Sequence, residues 1–230
     1  MRIFFSAVGS LRGPDGGVDD FSSSRCEIRI LPVIPEDVFS NTKLLPDKNC
    51  VRPSKDSPGT TPVPAPTPLY NATLKSESSA TSYLKLLHGT SSRCGSYKDA
   101  CVLGRIWLQQ RGFGGSIPKG GFGHFEWAAI IAVLLQGGGP RGQGLLSPGY
   151  SSYQLFKATL QFLASTDLVT SPLLFQAEDL GARKLDAPMF YDGPRGVNVL
   201  FKMTPWSYRL VRCPTKPHLC IQTLTSEAAA

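Results

Sequence analysis

Three cations, Arg105, Arg111 and Lys119, bracket a glycine-rich stretch that runs through Gly120-Gly121-Phe122-Gly123 into His124. Glycines there let a second backbone or a phosphate come close, and the free N–H groups of a helix start attract anions. The residues support two readings without separating them. One is a phosphate contact; the other is a tight helix–helix corner whose cations are merely solvated. Other chemistries find no support. Lys119 is followed by glycines and not by Ser or Thr, so there is no Walker A loop. Gly114-Gly115-Ser116 is not a nucleophile elbow, which needs G-x-S-x-G after a strand. His124 and Glu126 are two apart and diverge on a helix, so His124 reads as a helix-start residue packing or hydrogen-bonding locally. Phe122, Phe125 and Trp127 carry faces that stack on RNA bases, yet the apolar helix they enter assigns them to the core.

Cysteines at 26, 50, 94, 101, 213 and 220 form no C-x-x-C pair and no zinc-finger spacing with His88, His124 or His218. No metal site and no cofactor are expected. The thiols read as free, mostly buried and kept in a reducing compartment. The sequon Asn71-Ala72-Thr73 is then a chance match.

The elements that must position the loop are helical. Residues 79–88 predict a short helix with Tyr83, Leu86 and Leu87 inward. Ser96 followed by Asp99 is a capping-box variant before a run in which Ala100, Leu103 and Trp107 share one face, and Gly112 stops that helix. Residues 124–136 are apolar all round, which marks a helix central to the core, and Gly137-Gly138-Gly139 ends it. Residues 151–164 place Tyr153, Phe156, Leu160 and Leu163 inward, with Gln154, Lys157 and Gln161 outward. Leu173-Leu174-Phe175 and Val197 to Phe201 read as short strands. Thr204-Pro205 supplies an N-cap and an N1 proline for a last helix through Trp206 and Tyr208. Upstream, Ile28 and Ile30 alternate with Arg29 as in a half-buried strand, which Pro32 and Pro35 end or confine to an edge.

Gly (23) and Pro (19) are numerous and charged residues are only 18%, which predicts long irregular stretches around a smaller ordered unit. The net charge of +7 fits an acidic partner such as RNA, or an ordinary basic surface. The N-terminal apolar run is too short for a signal peptide. Trp127 to Leu135 is roughly half of what a membrane span needs, so a soluble chain with no membrane partner is expected.

The order W-x-x-x-R-G, a short loop, K-G-G and an aromatic-bearing apolar helix resembles the helical domain of poly(A) polymerases and oligoadenylate synthetases. RIWLQQRGFGGSIPKGGFGHFEWAAIIAVLLQGGG, with GYSSYQLFKATLQFLA and FKMTPWSYRLV, closely resembles the second domain of the Nrap family. IRILPVIPEDVFSNTKLLPDKNCVR is similar to the end of that family's first, nucleotidyltransferase-like domain. The resemblance implies a mainly α fold with a minor β element, preceded by a partial nucleotidyltransferase-like α/β remnant. The expected organisation is a remnant at 1–51, a Pro-rich linker at 52–68, a polymerase-like helical domain at 69–212 and an irregular tail at 213–230. A fragment of a longer protein is expected.

The resemblance also implies a function: a non-catalytic scaffold that binds RNA and protein in small-subunit ribosome biogenesis. Its setting would be pre-rRNA processing in the nucleolus, within the nucleus. The implied partners are pre-rRNA, the small nucleolar RNA-containing processome, an rRNA-processing partner protein and casein kinase subunits. The alternative is the substrate-binding domain of an active poly(A) polymerase-like RNA nucleotidyltransferase. That chemistry needs carboxylates converging on Mg²⁺. Here Gly9-Ser10 is followed by adjacent Asp19-Asp20, whose side chains point to opposite faces of a strand. Glu27 is the only acid in the next strand. A pseudoenzyme is therefore expected, with Arg105, Arg111 and Lys119 as the candidate RNA-phosphate contacts.

Overall fold

The computed structural model of the chain describes residues 35, 38–51, 65–137, 143–176 and 187–212. The expected strand at 26–34, the acids Asp19, Asp20 and Glu27, most of the linker and the 213–230 tail lie outside the described residues.

Among the described residues the protein is mainly helical with one small sheet. In chain order the elements are α1 (Pro68–Ser78), α2 (Ala80–Arg93), α3 (Tyr97–Gln110), α4 (His124–Gln136), α5 (Ser152–Ser165), β1 (Leu173–Phe175), β2 (Phe190–Asp192), β3 (Val197–Asn198) and α6 (Pro205–Arg212). The strands are ordered β1-β2-β3, with β1 parallel to β2 and β2 antiparallel to β3. No helix among the described residues is long and apolar enough to cross a membrane.

Helix α4 forms where a continuous apolar run lies between glycines, and every residue from Ala129 to Leu134 is fully buried. It packs against α2 on one side and against α3 and α5 on others. Trp127, also fully buried, anchors this centre. Its indole lies 5.6 Å from the Phe156 ring and 6.3 Å from the Trp107 ring, and its Nε1 donates to the Ala100 carbonyl at 3.3 Å. The core use of Phe122 and Trp127 is thereby explained, since both are sealed from water.

The inward faces of α3 and α5 differ from the expected ones. On α3 the buried stripe is Tyr97, Ala100, Gly104 and Leu108; Leu103 is 36% exposed and Trp107 only partly covered. The stripe passes through Gly104 because the Trp127 indole rests against that glycine, filling the space of a side chain. Ser96 makes no side-chain cap, contrary to the capping-box expectation. On α5 the stripe is Leu155, Thr159 and Leu163, Phe156 and Leu160 are half-buried, and Tyr153 is 65% exposed. A polar residue takes the inward position because the Thr159 hydroxyl donates to the Leu155 carbonyl one turn back, at 2.8 Å.

The sheet also departs from expectation. Strand β3 stops at Asn198, since the Asn198 side-chain oxygen accepts from Phe190 N and Leu200 N and turns the chain. Strand β2 was not expected: it carries the fully buried Asp192, held by Arg195 Nη1 at 2.9 and 3.2 Å. Helix α6 begins as expected, with Ser207 N donating to Thr204 Oγ1 at 3.1 Å. Helix α1 was also not foreseen; it starts on Pro68, and its Asn71 is fully buried with the amide donating to the Leu45 and Lys48 carbonyls. That burial leaves the sequon no room for a glycan. Cys50, Cys94 and Cys101 are free thiols.

Candidate nucleic-acid interface

The loop that follows α3 is built by backbone hydrogen bonds. Gly114 N donates to Lys119 O at 2.8 Å, Phe122 N to Gly114 O at 3.0 Å and Gly121 N to Ser116 O at 3.0 Å. A 3-10 turn at Ile117–Lys119 sits at its tip. Gly121, at φ +69°, brings its Cα against the backbone carbonyl of Lys202, where any β-carbon would collide. Only glycine allows that approach. The backbone approaching this glycine is the protein's own.

The start of α4 is likewise occupied from within. Glu126 turns back so that its Oε2 accepts from Gly123 N at 2.9 Å, which is a capping box closed by a carboxylate. The other oxygen lies 3.7 Å from Lys202 Nζ, and the Glu126 side chain is only 5% exposed. A buried carboxylate in this position satisfies the positive end of the helix, so any anion capacity of the loop resides in its cationic side chains.

Those side chains are placed as follows. Arg105, Arg111 and Lys119 are all exposed. Arg111 lays its guanidinium 4.5 Å from the centroid of the Trp107 ring, a cation–π contact, and its Nη1 donates to the Trp107 carbonyl at 3.4 Å. The Lys119 stem lies over Gly114. Arg111 thus stands where the loop leaves α3 and Lys119 in the turn at its tip. Arg105 does not join them directly, since six residues along a helix turn it about 120° away from Arg111. Arg105 and Lys119 make no ion pair among the described residues.

The loop packs on a segment that carries none of the three candidate cations. Gly120 meets the buried Ser207 and Gly121 meets the Lys202 backbone, so the loop packs against α6 and its approach. On α6, Trp206, Arg209 and Leu210 are exposed at i, i+3 and i+4. The visible signal was a Trp and an Arg three apart in Pro205–Arg212, on the face opposite Tyr208. Tyr208 itself is buried, donates to Thr166 O at 2.8 Å and accepts from Leu168 N at 3.2 Å. At the far end of α6, Arg212 Nη1 lies 3.3 Å from Asp167 Oδ2. Among the described residues no group of three or more His, Cys, Asp or Glu is arranged to hold a metal ion.

Comparison with known proteins agrees with this architecture. The family model described as the Nrap protein PAP/OAS-like domain matches residues 96–228, and that of Nrap protein domain 1 matches residues 10–93. The chain is 38% identical over 208 residues to "U3 small nucleolar RNA-associated protein 22" of Saccharomyces cerevisiae, covering 84% of this chain and 17% of that protein. It is 32% identical over 184 residues to the Schizosaccharomyces pombe protein of the same name, covering 79% of this chain and 16% of the relative. It is 28% identical over 196 residues to "Nucleolar protein 6" of Mus musculus, covering 80% and 16% respectively. The chain spans only about one-sixth of the length of these curated relatives. With two consecutive family models covering most of the sequence, and a mainly helical fold with a small three-stranded sheet among the described residues, the chain belongs to the Nrap family.

Proposed function

We propose that this chain is part of a non-catalytic scaffold that binds RNA and protein during small-subunit ribosome biogenesis, acting on pre-rRNA processing in the nucleolus. The names of its relatives, a U3 small nucleolar RNA-associated protein and a nucleolar protein, support that setting. The observation that carries RNA contact is the pair of exposed cations on one loop, Arg111 at its start and Lys119 at its tip. Arg111 is stacked on Trp107, Lys119 is unpaired among the described residues, and the loop's one nearby carboxylate is already engaged by Lys202. Arg105 adds a third positive charge further round α3. The protein partners consistent with the family are an rRNA-processing protein and casein kinase subunits, met by the whole protein.

The test is a binding titration of the 230-residue chain with labelled RNA at several salt concentrations. Replacing Arg105, Arg111 and Lys119 together by alanine is expected to weaken binding and flatten the dependence on salt by about two units of log–log slope for a single strand, at ~0.7 per lost contact. An unchanged slope refutes the phosphate role. Supplying Mg²⁺ and a nucleotide to a labelled primer is expected to give no extension, as befits a degenerate nucleotidyltransferase relative.

A further inference from the structure

We propose that the exposed face of α6, continued by the tip of the glycine loop, is a platform for single-stranded RNA on which Trp206 stacks a base while Arg209 and Lys119 hold the flanking phosphates. The proposal rests on the RNA-binding reading above and specifies the surface and the form of RNA. Trp206 is 52% exposed, an unusual position for the largest apolar side chain when Tyr208 and Val211 of the same helix are buried. Arg209 is one turn along on the same face, and it forms no ion pair among the described residues. The loop lies beside this helix, because Gly120, next to Lys119, packs against the buried Ser207, the residue that follows Trp206 in the chain.

Charge selects the partner. Segments 111–127 and 202–212 contain the cations Arg111, Lys119, Lys202, Arg209 and Arg212, and one acid, Glu126. Lys202 is spent on Glu126 and Arg212 on Asp167, which leaves Arg111, Lys119 and Arg209 with no carboxylate partner among the described residues. A protein-docking surface also favours aromatic residues and Arg, but it is depleted in Lys and in charge at its centre. Unbalanced cations around an exposed indole match the combination that holds single strands: a positive track for the backbone and a flat ring for the bases. A duplex keeps its bases stacked on each other, so Trp206 has nothing to receive from it.

The experiment uses the full chain with a short fluorescein-labelled oligouridylate, and with an RNA duplex of the same length. Anisotropy and tryptophan emission are both recorded. Trp127 is fully buried and Trp107 is covered by Arg111, so quenching on addition of RNA reports chiefly on Trp206. Trp206→Ala is expected to weaken single-strand binding about tenfold, to abolish the quench and to leave the salt slope unchanged. Arg209→Gln is expected to reduce that slope by about 0.7 without removing the quench. Both positions are exposed, and an unchanged melting curve verifies folding. If Trp206→Ala binds as the parent does while the Arg105, Arg111 and Lys119 triple variant is weakened, RNA binding stands and this platform is wrong, the face then belonging to a protein partner. Equal affinity for the duplex also overturns it. If the parent chain binds neither RNA, both readings fail together.

Discussion

Gly104 shows how a single missing side chain decides a helix face. In an exposed helix interior, replacing glycine by alanine gains about 1 kcal/mol of stability, because alanine loses less backbone freedom and has the best helix propensity. Here the added methyl group would meet the Trp127 indole. That ring cannot retreat: it is fully buried, backed by Phe156 and Trp107, and fixed by its bond to the Ala100 carbonyl. Overpacking of this kind costs about 1–3 kcal/mol, enough to exceed the propensity gain. Gly104→Ala is therefore expected to lower the midpoint of urea unfolding; a raised midpoint would show that α3 slides off Trp127 at little cost. Glu126 presents the same lesson in charge. Its carboxylate serves the N-terminus of its own helix and Lys202 together, so a position that looks open to phosphate in the sequence is closed in the fold.

Between elements, α6 is secured to the turn after α5 by Tyr208 and by the Arg212–Asp167 pair. Burial pushes the Asp167 carboxyl upward, but the Val169 amide, the Arg212 guanidinium and the Thr170 amide together bring it below its ordinary 3.8. A carboxylate whose folded pKa is depressed stabilises the fold above its unfolded value, and that contribution disappears as pH falls through the folded one. The gap in melting temperature between the parent and Asp167→Asn is thus expected to be full near neutrality and to shrink as pH drops below 3.8. A gap that persists unchanged into acid would assign the pair no electrostatic role. Elements of this kind were unevenly legible. The extent of α4 followed from an apolar run between glycines, and the start of α6 from Thr204-Pro205. The faces of α3 and α5 did not follow, because Gly104 and Thr159 point inward without any hydrophobic signal. Strand β2 was hidden by Asp192, whose burial is tolerable only because Arg195 returns to it three residues later. Of the candidate surface, the three cations were visible as charges. Trp206 and Arg209 join them only through the packing of Gly120 and Gly121 on a distant segment of chain.

Across the whole molecule, α1 and α2 are the elements whose allegiance matters most. The family model of the first domain ends at residue 93 and that of the second begins at 96, which would divide α2 from α3. The packing joins them instead. Tyr83 and Leu86 of α2 are almost fully buried, and the Tyr83 ring meets Phe125 of α4 edge-on at 5.2 Å. Arg195 of the β2–β3 turn lies over that ring, at 5.2 Å, and the Arg195 carbonyl accepts from Ser79 Oγ at 3.4 Å. Burial, and then the charge of Asp192, hold the Tyr83 phenol far above its usual range, so it stays neutral in the core at any working pH. Each large side chain taken from such a core forfeits roughly 1.5–3 kcal/mol, against a net stability of about 5–15 kcal/mol for a typical domain. Removing α1 and α2 would strip both of these residues and expose the flank of α4 that they cover. A chain of residues 65–212 is expected to unfold in one cooperative thermal transition, and a chain of residues 96–212 to lose it and bind a dye for exposed apolar surface. Cooperative melting of the shorter chain would place the boundary where the family models part and reduce α2 to an appendage.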